Sequence, residues 1–143
     1  MAKLGGVFAD EAVWDAVRIE HGLPRFGVEF DTTHYPQEAA LEKLAVSFSK
    51  GCYLGQEVVY MLQERGHVKR KLVAIDIDDC PVPPVGAAVT TDAGEAVGEI
   101  KSATLGSVSM KPVAIAMVKW AHAKAGTELR LRAGDLDRTA RVR

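Results

Sequence analysis

Cysteine is scarce in this chain, with only Cys52 and Cys80 among 143 residues. Two thiols allow at most one disulfide, and no CxxC or matched Cys/His spacing offers a zinc site. His21, His34, His67 and His122 are scattered, with no cysteine or carboxylate at ligand spacing. An excess of charge of either sign is lacking too. The 18 basic and 19 acidic side chains leave a formal net charge of -1, so no overall field steers the molecule to nucleic acid or to an anionic membrane. No apolar run approaches the roughly 20 residues of a membrane span. The opening MAKLGGVFADEA has neither a signal-peptide core nor an arginine-rich amphipathic run. These absences predict a cytoplasmic protein with free thiols and no membrane partner. Internal repeats and low-complexity tracts are also missing.

The chain does have apolar residues in quantity, 48% of the total, enough to fill the core of one compact domain with a helical extension. Its pattern changes near residue 70. Before that point the signals are helical. Asp10 can cap a helix running to about His21, with Gly22 as its stop and Pro24 beyond. Val13, Ala16, Val17 and Glu20 share one face, and Trp14 sits at its edge. An extended loop follows, with a helical turn after Pro36. LAVSFSKG alternates apolar and polar from Leu44 to Lys50, which suggests a short strand. Leu54, Val58, Met61, Leu62 and Arg65 recur at helical spacing and predict a helix over about 54–65, ended by Gly66.

Beyond residue 70 the period becomes two. KLVAIDID, VGAAVTTD, AVGEIKSAT, VAIAMVKW, TELRLRAG and TARVR are punctuated by Gly, Pro and Asp. They predict five or six strands in a small antiparallel barrel or sandwich. LGSVSMKPVAIAMV reads as a turn into a buried strand. The expected class is α+β, a helical and loop segment followed by a small antiparallel β-barrel, with 1–69 and 70–143 as the two units. ERGHVKRK gathers Arg65, His67, Lys69, Arg70 and Lys71, and reads mainly as a solvated helix end. With no interleaved aromatics it makes a poor single-strand RNA site. Asp76, Asp78 and Asp79 read as strand and turn residues, and Cys80 has no assigned role.

The chemistry gathers at KGCYLGQE, Lys50 to Glu57. A thiol reacts as its thiolate, which positive surroundings favour. Cys52 lies just before a predicted helix, whose first N–H groups carry partial positive charge, and Lys50 adds a full one nearby. Gly51 and Gly55 clear side chains from either side, and Glu57 in the first turn suits the helix dipole. A small buried hydrophobe is the competing reading of Cys52, because cysteine is among the most buried residue types.

KGCYLGQE resembles the signature of the folate-binding YgfZ family, relatives of the glycine cleavage T-protein. That signature runs Lys, Gly or Ala, Cys, Tyr, any residue, Gly, Gln, Glu, then an arginine four residues on. Lys50, Gly51, Cys52, Tyr53, Gly55, Gln56 and Glu57 match, whereas Met61 stands at the arginine position. RIEHGLPRFGVEFD is similar to a second family segment through Arg18, Ile19, Glu20, Gly22, Pro24 and Gly27. Pro36, Gln37 and Glu38 match its Pro-Gln-Glu turn.

The resemblance implies a C-terminal portion of such a protein, with 1–69 as the end of the folate-binding domain and 70–143 as the terminal barrel. The family's N-terminal lobes are missing from it, so the chain is expected to be a truncation, a split gene product completed by a separate lobe, or a decayed paralogue. Tetrahydrofolate is the implied cofactor. An iron–sulfur client or assembly protein is the implied partner, and nucleic acid is not expected. Cys52 would be a reactive thiol or a cluster ligand shared with a partner, since one cysteine cannot hold a cluster alone, and Lys50 would tune it. Trp14, Arg18, Tyr53, Gly55, Gln56 and Glu57 would contact folate, with the Trp14 indole stacking on a ring. The alternatives are a T-protein-like aminomethyltransferase, inactive as this chain alone, and a non-catalytic protein- or RNA-interaction module.

Overall fold

In the computed structural model, which describes residues 5–64, 66–78 and 81–143, Asp10 starts the first helix. Its carboxylate accepts the Val13 N–H at 3.0 Å, and α1 runs over Glu11–Glu20. The helix closes as a Schellman turn, with Leu23 N–H donating to Arg18 O at 2.8 Å and Gly22 N–H to Ile19 O at 3.0 Å. Gly22 takes φ +68, and a Cβ there would stand 2.9 Å from the Ala74 Cβ, so the turn presses directly on the barrel. Arg65, Asp79 and Cys80 lie outside the described residues.

The face predicted for α1 docks only in part. Glu20 is buried and Ala16 and Val17 are half-buried, whereas Val13 is 49% exposed, and Arg18 and Ile19, off that face, are buried with Glu20 in the last turn. The helix meets the barrel by its end, through Ile19 and the Glu20 carboxylate. The strand predicted at 44–50 is absent: the segment turns and bends, and the Lys50 N–H donates to Ser47 Oγ at 3.3 Å. Its alternation has no neighbouring ladder to join. The helix predicted over 54–65 forms as α2, Gln56–Glu64.

Six strands follow: β1 (Arg70–Ile77), β2 (Ala88–Thr90), β3 (Ala96–Leu105), β4 (Pro112–Lys119), β5 (Glu128–Ala133) and β6 (Leu136–Val142). They form a closed barrel in the order β1-β4-β3-β2-β5-β6, every pair antiparallel. Strand β1 pairs with β4 on one side and β6 on the other, which leaves no open edge. Ile75, Val89, Ile100, Leu129 and Leu131 fill the interior.

Strand β4 is buried on both faces. Ala114, Ala116 and Val118 point into the barrel. Val113, Ile115 and Met117 point outward and pack with Leu72, Ile19 and Ala39 in a second core, flanked by Phe30 and Leu41. The continuous apolar run of VAIAMV therefore reflects two cores sharing one strand.

One carboxylate locks the helical segment to this surface, and a second braces the segment internally. Glu20 reaches the β3–β4 turn, accepting from Ser109 N–H at 2.7 Å, Ser107 Oγ at 2.7 Å and Val108 N–H at 3.0 Å. These donors, the Ser109 N–H first and the Ser107 hydroxyl next, push its pKa down from 4.5 to about 2. Glu29, with a fully buried side chain, pairs with Arg18 Nη1 at 2.8 Å and accepts the Arg25 N–H at 2.7 Å. Arg18 also bonds Asp15 through Nε at 2.5 Å.

The depressed Glu20 pKa means that its stabilisation is complete above about pH 4.5 and fades as the pH falls toward about 2. Glu20→Gln is expected to melt below the native chain at about pH 6, with the gap closing as the solution is acidified. A gap independent of pH would show that the charge of Glu20 does not hold the turn. Glu29→Ala leaves the buried Arg18 guanidinium with Asp15 as its remaining carboxylate and should cost about 1–3 kcal/mol in urea unfolding; an unmoved midpoint would refute the pairing as a stabilising contact.

Candidate functional site

The sequence KGCYLGQE forms the approach to α2. Gly55 takes φ +85, a left-handed conformation that allows the chain to turn sharply into the helix. The Gln56 N–H donates to Tyr53 O at 3.3 Å, and Gln56 Oε1 accepts the Tyr53 N–H at 3.2 Å. This reciprocal pair satisfies one of the N–H groups that a helix start leaves open. The turn leaves Leu54 fully exposed.

Cys52 is a free, exposed thiol. It is thus not the buried hydrophobe of the competing reading. In the chain it stands between Lys50 and Tyr53, both of which line a cleft of about 270 Å³. The other walls are Ser47, Phe48, Gln56, Glu57 and Tyr60. The Lys50 ammonium lies 4.6 Å from the Tyr53 ring centroid, a cation–π contact that holds it by the cleft. Three aromatic rings, one ammonium, one carboxylate and one amide therefore meet in the cleft, whose lining does not include Cys52 itself. Such a set suits a flat heteroaromatic group with hydrogen-bonding edges.

Lys50, Tyr53, Gln56 and Glu57 come together as lining residues, while Gly55 serves through its backbone. Trp14 and Arg18 do not line this cleft. Trp14 is 54% exposed on the first turns of α1, whereas Arg18 is 3% exposed and held by Asp15 and Glu29. Sequence reasoning missed Ser47, Phe48 and Tyr60. The helical offset of Tyr60 from Gln56 and Glu57 was the available signal for one of them. Phe48 was concealed by its reading as a strand residue. Among the described residues, no group of three or more His, Cys, Asp or Glu is placed to hold a metal ion.

The Pro36-Gln37-Glu38 turn links this site to the barrel. Gln37 Nε2 donates to Val59 O of α2 at 2.9 Å. Glu38 accepts the Tyr35 N–H at 3.0 Å and pairs with Arg70 Nε at 3.2 Å, and its carbonyl accepts the Leu72 N–H at 2.7 Å. Neighbouring residues thus grip α2 and β1. The face of α2 that carries Val58 and Met61 remains exposed. No helix among the described residues is long and apolar enough to cross a membrane.

Residues 70–143 match the family of the glycine cleavage T-protein C-terminal barrel domain. An aminomethyltransferase of Symbiobacterium thermophilum is 37% identical over 116 residues, covering 80% of this chain and 30% of that protein. A tRNA-modifying protein YgfZ of Hamiltonella defensa is 42% identical over 84 residues, covering 58% of this chain and 25% of its own length. The crystal structure of the glycine cleavage system aminomethyltransferase T from Bartonella henselae superposes with a TM-score of 0.77 at 24% identity, covering 90% of this chain and 36% of that one. That likeness establishes the shared fold. The chain spans between 25% and 36% of the length of these proteins.

Because one hydrogen bond from Gln37 fastens the middle of α2, Gln37→Ala should speed amide hydrogen exchange in α2 by about 2–10-fold, the worth of one such bond. Exchange in the barrel strands should not change. Unaltered exchange in α2 would show that other contacts hold the helix.

Proposed function

Since the chain belongs to the glycine cleavage T-protein family through its C-terminal barrel domain, we propose that it is the C-terminal module of a YgfZ-like folate-binding accessory protein for iron–sulfur cluster assembly or repair. In this reading residues 1–69 are the end of the folate-binding domain and 70–143 the terminal barrel. The observation that carries it is the exposed Cys52 thiol in a stretch whose Lys50 and Tyr53 line an aromatic cleft.

The residues fit tetrahydrofolate in part. Phe48, Tyr53 and Tyr60 offer flat faces, and Glu57 and Gln56 offer hydrogen-bonding groups for a ring edge. At about 270 Å³ the cleft has room for one ring system, and in this reading it would be one wall of a larger site. Tetrahydrofolate would supply the one-carbon carrying nitrogen. This chain's residues bind and orient: Tyr53 stacks on the ring and positions Lys50, and Gln56 fixes the Tyr53 backbone. Trp14 would meet ligand at the face completed by a family lobe, and Arg18 shapes the loop beneath it. Cys52 is the soft ligand or nucleophile offered to an iron–sulfur partner, which completes the coordination. Its approach is open because Gly51 and Gly55 carry no side chains.

A second reading, aminomethyl transfer to tetrahydrofolate, draws on the name of the Symbiobacterium thermophilum relative. The cysteine signature favours the first. The cytoplasm is the compartment that suits a reduced thiol.

The reading is tested by alkylating Cys52 with iodoacetamide in a Cys80→Ser background. Added 5-formyltetrahydrofolate should slow the reaction at least about threefold, and Tyr53→Ala should abolish that protection by removing the stacking face. Lys50→Ala should slow alkylation near neutral pH. Alkylation indifferent to both folate and Lys50 would remove the proposed role of the cleft.

A further inference from the structure

Two adjoining clefts lie where β1 and the end of β4 meet the 3-10 helix Trp120–His122. The first, about 420 Å³, is lined by Lys71, Trp120, Ala123 and Lys124 among others. The second, about 470 Å³, shares Lys71 and Ala123 with it and continues over Leu72 and Ile115 to Lys43 and Arg143. Both volumes are of the size that holds small molecules. No residue is shared with the cleft beside Cys52.

The indole of Trp120 is fixed yet accessible. Its backbone N–H donates to Lys69 O at 2.9 Å, the His67 ring packs at 5.6 Å and the Lys71 ammonium lies 5.6 Å from its centroid. Even so, 40% of the residue stays exposed. The charges around it are unevenly matched. Lys71 is bonded to Glu42, and Arg143 pairs with Asp76 at 3.2 Å. Lys43 and Lys124 have no carboxylate partner among the described residues. An apolar floor, an aromatic face and two ammonium groups without carboxylate partners, Lys124 in the first cleft and Lys43 in the second, suit a ligand with both a flat ring and negative charge.

We propose that this groove binds a planar aromatic ring bearing an anionic group, the ring lying on Trp120 and the anion drawn to Lys124 and Lys43. Nucleotides and aromatic carboxylates share that chemistry. The proposal stands apart from the folate reading, because it uses none of the residues around Cys52.

The test follows the Trp120 indole N–H resonance of the full chain, identified as the one missing from Trp120→Phe. Adenosine monophosphate and benzoate each present a ring with an anion; adenosine and inorganic phosphate each present one half. At least one of the first two is expected to shift the resonance saturably, and the one that does so identifies the source. Lys124→Ala or Lys43→Ala should weaken that binding at least about fivefold, as should added salt. The proposal fails if neither compound shifts the resonance, if adenosine or phosphate binds equally well, or if both lysine variants bind like the native chain.

Discussion

Strand β4 has no solvent face, and the architecture follows from that. Its inward residues, Ala114, Ala116 and Val118, are small enough for a six-stranded barrel to close around Ile75 and Ile100. Its outward residues, Val113, Ile115 and Met117, would form an exposed apolar stripe on an isolated barrel. The helical segment covers them with Ile19, Ala39 and Phe30. Burial supplies the attraction but little direction. Direction comes from Glu20, whose hydrogen bonds fix the end of α1 on the β3–β4 turn, while the Arg18–Glu29 pair braces α1 against the loop that follows it. The three adjacent residues Arg18, Ile19 and Glu20 thus combine an apolar anchor with two charged clamps.

The candidate site inherits its position from this docking. Gln37 and Glu38 lie beside the second core and extend from it to α2 and β1. The cleft beside Cys52 therefore stands on the barrel through one short turn. A nine-residue helix such as α2 is marginal in isolation. Its presentation of Tyr53, Gln56 and Glu57 depends on that support and on the reciprocal Tyr53–Gln56 bonds.

Much of this was legible in the residues. The six strands were marked by period-two segments and Gly, Pro or Asp breaks, and α2 by its helical spacing. The approach to α2 was readable because Gly55 and Gln56 have local, chain-adjacent roles. Docking was not. Val13, Val17 and Glu20 suggested one face for α1, yet Val13 stays exposed, and the contacts that bury Glu20 and Arg18 come from the β3–β4 turn and from Glu29. A lone sequence does not display pairings of that reach. LAVSFSKG misled for the complementary reason: alternation requires a neighbouring ladder, and at Leu44 to Lys50 there is none. Phe48 was read within a strand and Tyr60 was given no role, although both line the cleft.

The Glu20 contacts join residues 87 to 89 positions apart. Closing so long an interval is entropically costly until its far end is already shaped, and the two serines that receive the carboxylate converge only once the β3–β4 hairpin has formed. The Glu20 clamp therefore forms only after the β3–β4 hairpin, and until it does the outer methyl groups of β4 lack the helix that covers them.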